Sequence, residues 1–351
     1  MRFVLAAVGD LGGLRSSPPF GQHEVVEPSP ELLTSLQRLG ILEPAARRPP
    51  MTALTGGVSS EIWHIDLAGG PLVAKRALPQ LRVAGVWRAP VERTGYEVAW
   101  MRRAEAIVPG ISPGVVAADG QAFVMRYLAP TEHPLWKQQL LAGHADPTVA
   151  GRLGVALATI HAATAGDAST RAEFDNLAMF AALRLDPYLD ATAGAHPDRA
   201  AELAAVRAEY ESHRQALVHG DVSPKNVLVG PRGPVLLDAE CATWGDPAFD
   251  LAFCTSHLLL KCRAVPEATD GFLDCAAALV SGYIAGVTWE EPAPLDARCA
   301  RLVGALLLAR VDGLSPVEYL DEPARAGVRD AARRMLVDPP ATLAELCRRW
   351  T

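Results

Sequence analysis

Two short apolar runs, residues 227–229 (Val-Leu-Val) and 235–237 (Val-Leu-Leu), stand on either side of a turn and read as a β-hairpin. Oxygen-bearing side chains flank both of its ends. Ahead of the first run the chain reads His219-Gly220-Asp221-Val222-Ser223-Pro224-Lys225-Asn226, and behind the second come Asp238, Ala239 and Glu240. An acid, an amide five residues later and a second acid leaving an apolar strand suit the handling of phosphate through magnesium. In that chemistry Asp221 orients a hydroxyl nucleophile and accepts its proton, while the amide oxygen of Asn226 and the Asp238 carboxylate hold the metal. Glu240 is a further metal candidate, since residues two apart on an extended chain share a face. Taken singly each residue is ordinary: His-Gly-Asp is a common turn tripeptide, and an Asn before a strand is often a turn residue. The three together point to phosphoryl transfer from a nucleotide to a hydroxyl.

Composition narrows the setting. The 351 residues are enough for two core-bearing units or one bilobal domain, and half of them are apolar. A net charge of -7 argues against nucleic acid as the main partner. The six cysteines are scattered, with no Cys-x-x-Cys pair and no zinc spacing, as suits idle thiols in a reducing cytoplasm. No apolar run reaches the ~18 residues of a membrane span. The first ten residues are too short an apolar stretch, interrupted at Asp10, for a secretory leader. Residues 1–28 are expected to be a loose extension. A cytoplasmic protein, monomeric or homodimeric, with no nucleic-acid or membrane partner is the expectation.

Periodicity divides the remainder in two. Leucines at helical spacing predict a helix over 30–42. Strands are predicted at 51–54, 61–67, 71–76 and 121–127, with a helix over about 91–107 between the last two. Beyond residue 127 helices dominate, at 148–163, 199–216, 271–286, 298–311, 325–336 and 341–350, and the hairpin at 227–238 is the exception. The expected architecture is α+β: a small β-rich lobe over residues 29–127 that binds nucleotide, and a larger helical lobe over 128–351 that carries catalysis and the acceptor.

Several side chains in these segments suit the same chemistry. Lys75 leaves an apolar strand and can reach nucleotide phosphates as a point charge. Glu97 on the next helix can pair with it, with Glu92 and Glu105 as competitors. The turn Gly56-Gly57-Val58-Ser59-Ser60 can cover phosphates with backbone N–H groups. His219 is better explained as a brace of its loop than as an acid–base catalyst, and His161 as a satisfied core residue. Asp246 and Asp250 read as a turn and helix start that hold the catalytic loop.

With these residues assembled, the chain resembles the aminoglycoside phosphotransferase/choline kinase group of protein-kinase-like enzymes. The likeness rests on His219-Gly220-Asp221 with Asn226, then Asp238, then Gly245-Asp246-Pro247 and Asp250-Leu251. The small lobe is similar to that of methylthioribose kinases, through Lys75-Arg76-Ala77-Leu78-Pro79, Arg82-Val83, Trp87, Arg93 and Glu97. The resemblance implies a bilobal kinase fold with ATP in the cleft and a hinge near Met125 and Tyr127. It implies Asp221 as base, Asn226 and Asp238 on magnesium, and Lys75 on the nucleotide. The acceptor would be a small polar molecule: a sugar-like metabolite such as methylthioribose, an aminoglycoside or an amino alcohol. The loop departs from methylthioribose kinases in having Ser223 and Lys225, and Asn226 where they lack one. Arg310 and Asp312 are candidate acceptor contacts. A catalytically silent nucleotide-binding module is the competing reading. A protein kinase is less well matched, because Asp238-Ala239-Glu240 stands where Asp-Phe-Gly would.

Overall fold

The computed structural model describes residues 27–44, 46–54, 60–79 and 90–350. Helix α1 (Pro30–Arg38) starts at Ser29, whose hydroxyl accepts the Leu32 amide, and has Pro30 in its first turn. It is shorter than the predicted 30–42 because Gly40 takes a left-handed φ of 70° and Leu42 folds back onto Leu36. Leu32, Leu36 and Leu42 cover one face of an antiparallel sheet through Trp63, Ile65, Ala74 and Val124.

That sheet comprises β1 (Met51–Ala53), β2 (Ser60–Ile65), β3 (Leu72–Ala77), β4 (Val115–Ala118) and β5 (Ala122–Arg126), in the order β1-β2-β3-β5-β4. In β3, Ala74 faces α1, so Lys75 emerges on the opposite face between its cross-strand partners Ile62 and Phe123. Helix α2 (Arg93–Ile107) covers that second face and joins it to the helical core through Val98, Trp100, Met101 and Ala104. β4 was not anticipated: its Val-Val-Ala-Ala run has no alternation to mark it.

The helical lobe begins with α3 (Trp136–Leu141), α4 (Pro147–Thr164), α5 (Ala168–Phe174) and α6 (Leu177–Phe180). A π-helix (Ala181–Asp190), α7 (Ala191–Ala195) and α8 (Ala200–Ser212) follow. The helix predicted to run to 216 stops at Ser212, because the Gln215 amide donates to Gly245 and opens β6 (Ala216–Val218). β6 pairs with β9 (Thr243–Gly245), and β7 (Val227–Gly230) pairs with β8 (Gly233–Leu236) as the predicted hairpin. Loop 219–226 therefore leaves β6 and enters β7, and Asp238 follows β8 closely.

The chain ends in α9 (Ala248–Ala264), α10 (Thr269–Ile284), α11 (Pro292–Asp312), α12 (Glu322–Val337) and α13 (Leu343–Trp350). α9 runs through the middle of the lobe, and every residue from 248 to 262 is buried. Such a helix carries no polar stripe, so periodicity marked only its start. α4 and α10 cross closely at Gly154, where a Cβ would lie 2.1 Å from the Leu279 carbonyl. Among the described residues no helix is long and apolar enough to cross a membrane.

Candidate active site

The β6–β7 loop is held from beneath by one carboxylate. Asp250, in the first turn of α9, accepts the His219 amide at 2.7 Å and the Gly220 amide at 2.8 Å. Its Oδ2 also lies 3.2 Å from Nε2 of His161, whose other ring nitrogen is 2.7 Å from the Tyr283 hydroxyl. Asp250 thus holds the loop and His161 is a satisfied core residue, as the sequence suggested. Asp246 meets Arg298 at 3.1 Å and accepts the Ala248 amide, tying β9 and the start of α9 to α11. Gly220 has φ 77°, and a Cβ there would meet the Cys241 carbonyl at 2.7 Å, so the loop passes too close to its neighbour for any other residue. His219 spans the loop: Nδ1 accepts the Asp221 amide, and Nε2 sits 3.1 Å from the Leu237 carbonyl. Burial lowers its pKa, which suits a neutral brace.

Asp221 is 2 % exposed and its two oxygens are treated differently. Oδ2 accepts from Asn226 at 2.8 Å and faces Arg184 at 2.9 Å and Lys225 at 3.1 Å. Oδ1 is buried with no partner among the described residues. Burial would push this carboxyl up, but Arg184 and then Lys225 outweigh it and hold it below the usual carboxylate range. Arg184 also donates to the Gly220 carbonyl at 2.7 Å. Sequence reasoning missed it. The available signal was a lone arginine in the apolar stretch 177–189, but the π-helix that aims it is not visible in the pattern.

Across the cleft, Lys75 Nζ donates to Glu97 at 2.7 Å and also bonds Asp238. Burial alone would lower the Lys75 pKa; Asp238, followed by Glu97 and Glu240, more than offsets this and keeps it an ammonium. The competitors of Glu97 are elsewhere: Glu105 caps the Gly110 and Ser112 amides, and Glu92 is the exposed residue preceding α2. Asp238 is the one non-glycine among the described residues with positive φ, at 64°. Such a conformation costs roughly 1–2 kcal/mol and turns the carboxylate toward Lys75. It also means that the chain is not extended here, which removes the ground for placing Glu240 on the Asp238 face. Glu240 instead pairs with the fully buried Arg93 at 3.0 Å, a second bridge between the lobes. Trp100 adds a third contact, edge-on to His219 at 4.7 Å.

The remaining candidates are spread more widely. Gly56, Gly57 and Ser59, with Arg82, Val83 and Trp87, lie outside the described residues. Ser60 is buried at the start of β2, and its hydroxyl has no partner. Met125 ends β5 half-buried, and Tyr127 just beyond packs on His64 at 4.5 Å. Arg310 lies against Tyr188 in the helical lobe. Asp312 is occupied by Arg329, through two contacts of 2.7 Å, and by His196 at 2.8 Å, which ties α11 to α12.

Folds that divide the work in this way, a sheet carrying the lysine and a helical lobe carrying the acids, form the protein-kinase-like class, and this chain is one of them. The family model described as the phosphotransferase enzyme family matches residues 50–295. That is well over half of the chain, and the chain belongs to this family. A methylthioribose kinase of Yersinia pseudotuberculosis is 25% identical over 228 residues, 57% of this chain and 56% of that protein. The chain therefore matches just over half the length of that relative. Among solved structures, a choline/ethanolamine kinase family protein from Mesorhizobium loti is similar with a TM-score of 0.54 and 19% identity, over 89% of this chain and 97% of the other. An amicoumacin kinase in complex with AMP-PNP reaches a TM-score of 0.57 at 12% identity, over 85% and 91% of the two chains.

Proposed function

We propose that the protein is an ATP- and Mg²⁺-dependent kinase that phosphorylates a hydroxyl of a small polar molecule. The observation that carries this reading is the asymmetry of Asp221. One oxygen is saturated by three donors and the other is buried and bare. A bare, buried carboxylate oxygen is costly unless a donor uses it, and an acceptor hydroxyl is such a donor. With its proton directed to Oδ1, the hydroxyl oxygen bonds to the γ-phosphorus, the bond from that phosphorus to the β,γ-bridging oxygen breaks, and ADP leaves.

The residues suit magnesium. Asn226 gives its amide nitrogen to Asp221, which leaves the amide oxygen for another partner, and Asp238 supplies a hard carboxylate nearby. Asn226 and Asp238 would hold the ion, which neutralises charge on the phosphoryl group when bound. Lys75, held by Glu97, contacts the nucleotide phosphates. Lys225 and Arg184 stabilise negative charge beside Asp221. Glu240 braces Arg93 rather than binding metal.

The kinases to which the chain is similar name the acceptors to try first: methylthioribose, choline or ethanolamine, and an aminoglycoside. The test is ADP release from Mg²⁺-ATP across a panel of hydroxyl compounds. Asp221→Asn should lower kcat by ~10²–10⁴-fold while the thermal shift produced by Mg²⁺-ATP persists. Parental turnover in that variant overturns the assignment. Nucleotide binding without ADP release for any compound favours the silent module.

A further inference from the structure

Beyond Asp221, along α9, the helical lobe gathers several basic side chains around two aromatic rings. Phe253, His257 and Lys261 lie on one face of α9, one turn apart. Arg184, already on Asp221, lies 5.8 Å over both the Phe253 and the Tyr188 rings, and Arg310 lies 5.7 Å from the Tyr188 ring. The Tyr188 ring is thus shared by Arg184, which holds Asp221, and by Arg310. Lys261 sits 3.5 Å over the Tyr319 ring, and Lys137 approaches the same ring at 5.8 Å. The wall continues from the catalytic loop along α9 to the segment after α11.

Among the described residues two of these groups, Arg310 and Lys261, have no carboxylate within ion-pair distance, although Glu318 is near enough to act on both. Lys225 has Asp221 and Lys137 has Glu318. Among the described residues Arg310 bonds only to Ser315 and the Tyr188 hydroxyl, and its Nε is buried without a partner there. Lys261, 1 % exposed, makes no ion pair or hydrogen bond among the described residues. Nε2 of His257 and the hydroxyl of Tyr319 are likewise buried and unpartnered. Burial first, and then Arg310, Lys261, Lys225 and Lys137, push the His257 pKa down; burial first, and then Lys137 and Arg310 against Glu318, push the Lys261 pKa down as well, a shift that an anion held there would oppose. Ammonium and guanidinium groups only donate. A buried surplus of them is unfavourable unless an anion answers it.

We propose that the acceptor of this kinase carries a negative group, carboxylate or phosphate, held by Lys261 and Arg310 beside Tyr319 while its hydroxyl meets Asp221. This deepens the kinase reading and rests on it for the position of the hydroxyl. Amino alcohols and aminoglycosides, being cationic, fit this wall poorly, and a neutral sugar leaves the surplus unanswered.

The test uses the full chain and separates binding from turnover. Thermal shift is measured without nucleotide for three series, each with an anionic, a neutral and a cationic member: gluconate, glucose and glucosamine; glycerate, glycerol and serinol; glycerol 3-phosphate, glycerol and serinol. At least one anion should stabilise the parent and the Asp221→Asn variant alike, and its neutral and cationic counterparts should not. Lys261→Met should weaken that binding at least tenfold, Lys261→Arg should restore most of it, and the Mg²⁺-ATP shift should survive in both. Carboxylates alone, or phosphates alone, would identify which anion is read. Equal responses of parent and Lys261→Met to every anion overturn the proposal, as does a neutral or cationic member binding as tightly as its anionic partner. Anion binding without ADP release would instead count against the kinase reading. Among acceptors that turn over, Lys261→Met should raise KM for the anionic one at least tenfold and change kcat less.

Discussion

Asp221 works through its neighbours, and Arg184 is the one with the largest leverage. The carboxyl titrates below its ordinary value of about 3.9 because Arg184 and Lys225 overcome the effect of burial. A depressed pKa means that the carboxylate proposed as base is fully present above about pH 4 and is lost only as pH falls through the lower folded value. Arg184→Gln removes the main downward influence and leaves burial opposed chiefly by Lys225. The acid limb of kcat/KM should then move up by roughly 1–2 pH units, while the limb of a Lys137→Gln control stays put. A pH–rate profile checks this; an unmoved acid limb would mean that Arg184 only packs. The acid and amide positions were legible because they are polar residues placed between apolar runs. Arg184 was not, since nothing local ties residue 184 to residue 221, and only the fold brings them to 2.9 Å.

At the level of elements, legibility followed exposure. α1, α12 and α13 each present one wet and one dry side, and their periods marked them to within a few residues. α9 has no wet side, so its leucines and cysteines carry no period. The π-helix mixes charged, apolar and proline residues with no repeat that a 3.6-residue template detects. The crossing of α4 with α10 shows another feature that pattern alone hides. Gly154 reads as a weak spot in a helix, yet it allows the two backbones to touch. Gly154→Ala would drive a methyl into the Leu279 carbonyl, and should cost about 1–3 kcal/mol or somewhat more. Urea denaturation would report it as a lower midpoint at unchanged slope. A midpoint equal to the parent's would show that the crossing has room.

For the whole molecule, the bilobal plan was readable from the shift in period near residue 127, whereas the means by which the lobes are joined was not. Among the described residues, the ion pairs of Lys75 with the half-buried Asp238 and of Arg93 with Glu240 both cross the cleft. The first is built from groups assigned to nucleotide and metal; the second lies beside it and leaves them free for ligands. Arg93→Ala would strand Glu240 in a buried setting, and breaking such a pair costs about 3–5 kcal/mol. Arg93→Met combined with Glu240→Leu should recover most of that loss, because the stranded charge is gone. A double-mutant cycle in urea measures the coupling; strictly additive effects would show that the two side chains do not depend on each other.

α9 has a consequence for the order of assembly. A segment enclosed on every side cannot persist as a helix before the elements that enclose it, so it consolidates with the final condensation of the lobe. Asp250 rides on that segment and holds the two amides that shape the catalytic loop. The geometry proposed as reactive is therefore among the last features to appear and requires the whole lobe to open before it is lost. Hydrogen exchange at His219 and Gly220 should proceed at the rate of global unfolding, far slower than at the frayed ends of the peripheral helices.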